Sequence, residues 1–316
     1  MADYASEKGV KVQTVAGDPP APFEGQVWYN SSTGSHRVSK GPLVGAWSTG
    51  GDLNTARRNM GGAGTQTSAL AFGGFPPAQA LTESYNGSAW TEVNDLNTGR
   101  PQIRGTGDDN TSVLAWGGPG QALTELWNGS NWTEVNDLGT ARYEAEGAGT
   151  STAALAMGGD VTPRAQTESW NGTNWTEVND LNTGRTSSAG DGTQTSAIYA
   201  GGQPPRVALV ESWNGTNWTE IADLNTARER FAASGSDNTN ILVFGGDPYS
   251  SGFTELYNGT SWTEQNDLNT ARQFLSGAGA NNTSALAFGG LSPTGPLHAN
   301  TEEWGETGGN KSITSS

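Results

Sequence analysis

Six short runs along the chain are apolar at every position and close in a pair of glycines. They read A-L-A-F-G-G from residue 69, V-L-A-W-G-G from 113, A-L-A-M-G-G from 154, A-I-Y-A-G-G from 197, I-L-V-F-G-G from 241 and A-L-A-F-G-G from 285. An apolar run this short predicts a strand covered on both faces. Before each run lies a glycine-rich stretch such as Met60-Gly61-Gly62-Ala63-Gly64, which suits a strand in a place too crowded for side chains. After each run comes a strand with glutamate at its second position and Tyr or Trp at its end. A last strand follows, headed by tryptophan, as in W-T-E-V-N-D-L-N-T-G-R from Trp175 to Arg185. Asn-Gly joins the last two strands in five copies, and it forms a tight hairpin turn with positive φ. Each repeat is therefore predicted to hold four antiparallel strands.

The heading tryptophans Trp47, Trp90, Trp132, Trp175, Trp218 and Trp262 stand 43, 42, 43, 43 and 44 residues apart. A period in the low forties with these signatures predicts propeller blades, each needing its neighbours to bury its faces. Six copies predict an all-β, six-bladed propeller over residues 43–304. The last repeat leaves the pattern after Trp304, while residues 43–50 read as a fourth strand without a first three. The N-terminal strand is thus expected to complete the last blade and close the ring. Residues 305–316 are expected to be a flexible tail. Residues 1–42 lie outside the repeat, and within them E-G-Q-V-W-Y-N-S-S-T-G-S-H-R-V reads as a small hairpin. This extension is the expected docking segment, with Trp28 and Tyr29 as its contacts unless they simply pack inward.

The order arginine, apolar strand, Gly-Gly, glutamate strand and Trp after a short turn resembles the kelch repeat of six-bladed propellers. In addition, the W-N-G-T-N-W-T-E-V-N-D-L-N-T-A/G-R repeats and the E-G-Q-V-W-Y-N-S-S-T-G leader are similar to structural proteins of tailed bacteriophages. That resemblance implies a virion component, a head or tail appendage, held by other virion proteins through the N-terminal segment. Its propeller would meet host-surface glycan or protein. Assembly in the host cytoplasm would need no signal peptide, and M-A-D-Y-A-S-E-K-G-V-K-V has neither a charged n-region nor an apolar h-region. A non-viral kelch adaptor, or a glycan-binding or glycan-active propeller, is the alternative.

Charge narrows the partners. Net charge is -16 with 16 basic and 32 acidic residues, so a phosphate backbone is repelled and nucleic acid is not an expected partner. No window supplies the run of apolar residues that a membrane helix needs, and no membrane insertion is expected. The chain has no cysteine and two histidines, which removes disulfides, thiolate metal sites and cysteine nucleophiles. The copper oxidases of the kelch class need histidines and a cysteine-modified tyrosine, so that chemistry does not fit. No metal, cofactor or enzymatic activity is expected.

Residues repeated in every copy are read as structure. The tryptophans are assigned to the core. Arg57, Arg100, Arg142, Arg185, Arg228 and Arg272 are expected to pair with Glu83, Glu125, Glu168, Glu211, Glu255 and Glu302, because catalysis needs one constellation and not six. A glycan-active reading would call instead on Arg58, Arg104 and Arg230, near the starts of the inner strands. Function is sought where copies differ. Loops from second to third strand, and the triplets after each repeated arginine, emerge on one face because strands alternate in direction. The candidate binding residues there are Phe75, Tyr143, Arg164, Arg206, Arg230, Phe231, Tyr249, Phe253, Phe274 and His298.

Overall fold

The computed structural model describes residues 12–17, 26–39, 44–248, 251–292, 295–307 and 310–313, and all regular structure among them is β-strand. The strands form seven four-stranded sheets. Six follow the sequence repeat. Sheet 1 is Gly61–Thr65, Ser68–Phe72, Thr82–Tyr85 and Trp90–Val93; sheet 2 is Arg104–Asp109, Ser112–Trp116, Thr124–Trp127 and Trp132–Val135. Sheet 3 is Glu146–Gly149, Ala154–Met157, Thr167–Trp170 and Trp175–Glu177; sheet 4 is Ala189–Thr193, Ser196–Ala200, Val210–Trp213 and Trp218–Glu220. Sheet 5 is Ala232–Asp237, Asn240–Phe244, Thr254–Tyr257 and Trp262–Glu264. Sheet 6 joins Ser276–Asn281, Ser284–Phe288 and Thr301–Thr307 to Val44–Thr49 from the other end of the chain.

First strands of successive sheets lie side by side, and that of sheet 6 lies against that of sheet 1. Crowding there explains the glycines. A Cβ on Gly62 would come within 2.7 Å of the Gly277 carbonyl oxygen of sheet 6, and one on Gly147 within 3.0 Å of the Gly105 carbonyl oxygen of sheet 2. Second strands are buried on both faces, as their composition predicts. The core sits between sheets: Leu70 and Phe72 of sheet 1 pack with Val113, Ala115, Trp127 and Trp132 of sheet 2.

Two polar links recur across the sheet-to-sheet seams. Each repeated arginine is buried and pairs with the glutamate of the sheet that follows it: Arg100–Glu125 at 2.9 Å, Arg142–Glu168 at 3.0 Å, Arg185–Glu211 at 2.5 Å and Arg272–Glu302 at 3.2 Å, with Arg57–Glu83 and Arg228–Glu255 alike. The other glutamate oxygen accepts backbone N–H from the segment leaving the preceding sheet, at Asn54, Asn97, Gly139, Asn182, Asn225 and Asn269. The heading indoles form the second link. Trp132 Nε1 donates to Thr82 Oγ1 at 3.0 Å, and Trp90 of sheet 1 donates to Thr301 of sheet 6 at 2.9 Å. Sheet 4 starts its third strand with Val210 instead of threonine. Lacking that hydroxyl, Trp262 donates to the Ala222 carbonyl oxygen at 2.9 Å. The Asn-Gly turns are closed by asparagine side chains; Asn171 Oδ1 accepts from Thr173 and Asn174 N–H at 3.0 and 2.8 Å.

By contacts the chain divides into Ala46–Gly305 and a smaller unit of Met1–Gly45 with Glu306–Ser316. In the smaller unit Val27–Asn30 and Ser35–Ser39 form a hairpin whose turn is fixed by Asn30 Oδ1, which accepts from Ser32 N–H at 3.0 Å and Thr33 N–H at 3.2 Å. Gln13–Val15 adds in parallel on one side and Asn310–Ile313 adds antiparallel on the other. Two corrections follow. Among the described residues there are seven four-stranded sheets and not six, because the hairpin recruits one strand from each flank. And Asn310–Ile313, part of the expected flexible tail, is a strand.

Candidate functional site

After each buried arginine come three residues with fixed roles. In four copies the first returns to the loop between second and third strands of its own sheet, bridging Arg58 to Phe75, Thr186 to Gln203, Glu229 to Asp247 and Gln273 to Leu291. The second is left-handed in every copy without being glycine: Asn59, Gln102, Glu144, Ser187 and Phe274 have φ 55° and Arg230 has φ 59°. Such values are uncommon for these residue types and persist where the surroundings over-determine them. Here the cause is a chain of main-chain hydrogen bonds between copies. Asn59 N–H donates to the Phe274 carbonyl at 3.1 Å, Phe274 to Arg230 at 2.9 Å, Arg230 to Ser187 at 2.7 Å, Glu144 to Gln102 at 3.1 Å and Gln102 to Asn59 at 2.7 Å. Between Ser187 and Glu144 the side chains make the link instead, Ser187 Oγ donating to Glu144 Oε2 at 2.5 Å. The six residues form a collar.

A depression of about 250 Å³ opens at this collar. Its carboxylates are already engaged. Glu144 accepts from Gln102 Nε2 at 2.8 Å as well as from Ser187 and Thr186. Asp160 is held by Arg164 at 2.8 Å and by the Tyr143 hydroxyl. That hydrogen bond, then burial, pushes the Tyr143 phenol up to about 12, so Tyr143 is a neutral donor. The same bond, with Arg164, holds the Asp160 carboxyl below the usual range. Arg206 spans Glu229, at 3.1 Å, and Asp247. Arg230 stands 3.7 Å from Glu229 and lies over the Phe274 ring, 4.8 Å from its centre.

The predicted contact residues separate into groups. Tyr143, Arg230 and Phe274 line the depression. Phe75 is 37% exposed, and it shares the Arg58 guanidinium with Phe274. Arg164 and Arg206 make the ion pairs above, and Phe253 is half-buried beside Arg228. His298 stitches its own loop, with Nε2 2.5 Å from Ser292 Oγ and Nδ1 3.0 Å from Asn300 Oδ1. Tyr249 lies outside the described residues. Phe231 is a correction: at 3% exposure it belongs to the core between sheets 4 and 5, because the third position of every triplet turns inward. Trp28 is another, since its side chain is fully buried and offers no docking surface, whereas Tyr29 is half-buried against His36. Sequence reasoning missed Asn59, Gln102 and Ser187. Only Asn59 is of a type that favours a left-handed backbone; Gln102 and Ser187 carry no such signal.

The first strands also enclose a central cavity of about 280 Å³. Arg104 and Glu146 pair in it at 2.8 Å. Asp191 faces it, accepting from Gly192 N–H at 2.7 Å and Gly235 N–H at 2.9 Å. Desolvation dominates nevertheless and pushes the Asp191 carboxyl up to about 7. Among the described residues no cluster of three metal-ligating side chains forms.

Sheets of four antiparallel strands, repeated with their first strands inward, define a β-propeller. Solved structures agree: YjhT matches with a TM-score of 0.66 over 83% of this chain and 100% of its own, at 14% identity. Because 651 chains of solved structures match significantly, the fold by itself selects no activity. No family model matches the chain, and no curated protein sequence does.

Proposed function

We propose that this chain is a virion component of a tailed phage. In this reading it is a head or tail appendage carrying a closed, six-bladed propeller of kelch type, with Val44–Thr49 completing the last blade. The collar face recognises host-surface glycan or protein, and other virion proteins hold the N-terminal segment. The role is binding and not catalysis.

One observation carries the recognition reading. Asn59, Gln102, Glu144, Ser187, Arg230 and Phe274 share a single backbone conformation yet carry six different side chains, with Glu144 and Ser187 buried beneath the other four, on a scaffold whose buried Arg, Glu and Trp positions are repeated. Uniform main chain with varied side chains on a rigid frame is what a specific contact surface requires. The phage assignment draws on the repeat texture and the leader sequence.

Replacing Asn59, Gln102 and Phe274 together by glycine keeps the left-handed backbone permissible while erasing the surface. Adsorption of particles to host cells should be lost, with the melting temperature changed by only a few degrees. Unchanged adsorption would sink the recognition role. For the docking role, a chain lacking residues 1–42 should fold and yet be missing from purified particles.

A further inference from the structure

Arg58 stands apart from every other cation in the larger unit. The ten other arginines of that unit each pair with a carboxylate, and there is no lysine between residues 46 and 305. The Arg58 guanidinium has no ion pair and no hydrogen bond among the described residues, and its Nε is buried without a partner. It is held between two rings, 5.4 Å from the centre of Phe75 and 5.2 Å from that of Phe274. In a chain of net charge -16, a buried donor left unpaired is costly.

We propose that Arg58 is the receptor for one oxyanion of an acidic saccharide entering the collar depression, with Phe75 and Phe274 aiming the guanidinium and Arg230 adding a second positive charge. This deepens the recognition reading and rests on it. Three features fit together. The depression's own acids are spoken for, by Gln102 and Ser187 at Glu144 and by Tyr143 and Arg164 at Asp160. They therefore do not compete for Arg58. Two guanidinium groups against one ring, at 4.8 and 5.2 Å from its centre, concentrate positive charge at a single place. And the rest of the collar, Asn59 and Gln102, offers amide groups suited to sugar hydroxyls. A planar fork matches a carboxylate or phosphate oxygen pair.

Calorimetric titration tests this with four probes: trigalacturonate, its neutral methyl ester, a hexose phosphate and a neutral hexose. The wild-type chain should bind at least one acidic probe and neither neutral one, and the acidic probe that binds tells carboxylate from phosphate. Arg58→Gln should weaken that binding about tenfold or more. Arg58→Lys should recover part of it, since it keeps the charge and loses the fork. Equal binding of acid and neutral ester, no binding of either acid at millimolar concentration, or an unaltered affinity in Arg58→Gln would each overturn the proposal. Particle adsorption is measured in parallel on the triple glycine variant. If that variant loses adsorption while no acidic probe binds wild type, the collar remains the recognition surface and the oxyanion assignment alone has failed.

Discussion

Asp191 shows how one residue's setting turns into a measurable property of the fold. Its carboxyl faces the central cavity among glycine backbones, half-buried and so desolvated in part, and two N–H donors do not offset the loss. The group sits at about 7 in the folded chain against an ordinary value near 3.8. Since the folded value is the higher, the fold holds a proton that the unfolded chain has released throughout the interval. The contribution of Asp191 is therefore full below pH about 4, falls as pH rises toward 7, and is level above it, at a cost of at most about 1.4 kcal/mol per pH unit. Urea unfolding at pH 4.5, 6 and 8 should show this decline, and Asp191→Asn should flatten it. A wild-type chain with equal stability at the three values would show that the cavity solvates the carboxylate.

At the scale of the element, the repeat motif is a set of seams. The arginine that ends D-L-N-T-x-R enters the next sheet: Arg185 Nε donates to the Gly201 carbonyl at 2.8 Å, its amino groups reach Thr183 and Tyr199 carbonyls at 2.9 and 3.0 Å, and Glu211 takes the charge. Removing one member of a buried pair strands the other, at a cost of about 3–5 kcal/mol. Arg185→Ala should lower the urea midpoint by a corresponding amount, and a variant as stable as wild type would return these pairs to the status of decoration. Because such seams recur six times, they were legible in the sequence. Trp, Arg, Glu and Gly-Gly mark strand ends by repetition alone, and the four-strand pattern followed. What lacked a repeat was not legible. Asn310–Ile313 is a short polar strand paired with residues 36–39, nearly the whole chain away, and no local signal announces it. Phe231 was misplaced by treating each triplet as one exposed loop. Read by column, the third position is apolar in five of six copies, Met60, Ile103, Ala145, Phe231 and Leu275, with buried Ser188 the exception. That periodic signal was available. The left-handed conformation at the second position was not, since it is imposed by neighbouring copies and only Asn59 is of a type that favours it.

For the molecule as a whole, the decisive pairing is that of sheet 6, whose fourth strand Val44–Thr49 comes from the beginning of the repeat region and whose third strand Thr301–Thr307 comes from its end. Trp47 concentrates this contact. Its ring lies 4.8 Å from Phe244 and 5.4 Å from Trp304, its Nε1 donates to Thr254 Oγ1 at 3.0 Å, and its carbonyl accepts from Asn269 Nδ2 at 3.0 Å. One buried tryptophan is worth about 3–5 kcal/mol against a total stability of about 5–15 kcal/mol for a typical domain. Losing the strand also leaves Thr301–Thr307 as a bare sheet edge, open to pairing with other copies. A chain beginning at residue 51 should therefore melt well below a chain beginning at residue 43 and elute as aggregate from a sizing column. A synthetic peptide of residues 43–51 added during refolding should restore the monomer, since the missing strand is supplied by mass action. Equal melting temperatures for the two chains would mean that sheet 6 stands on three strands, and the two ends of the repeat region need not meet for the propeller to hold.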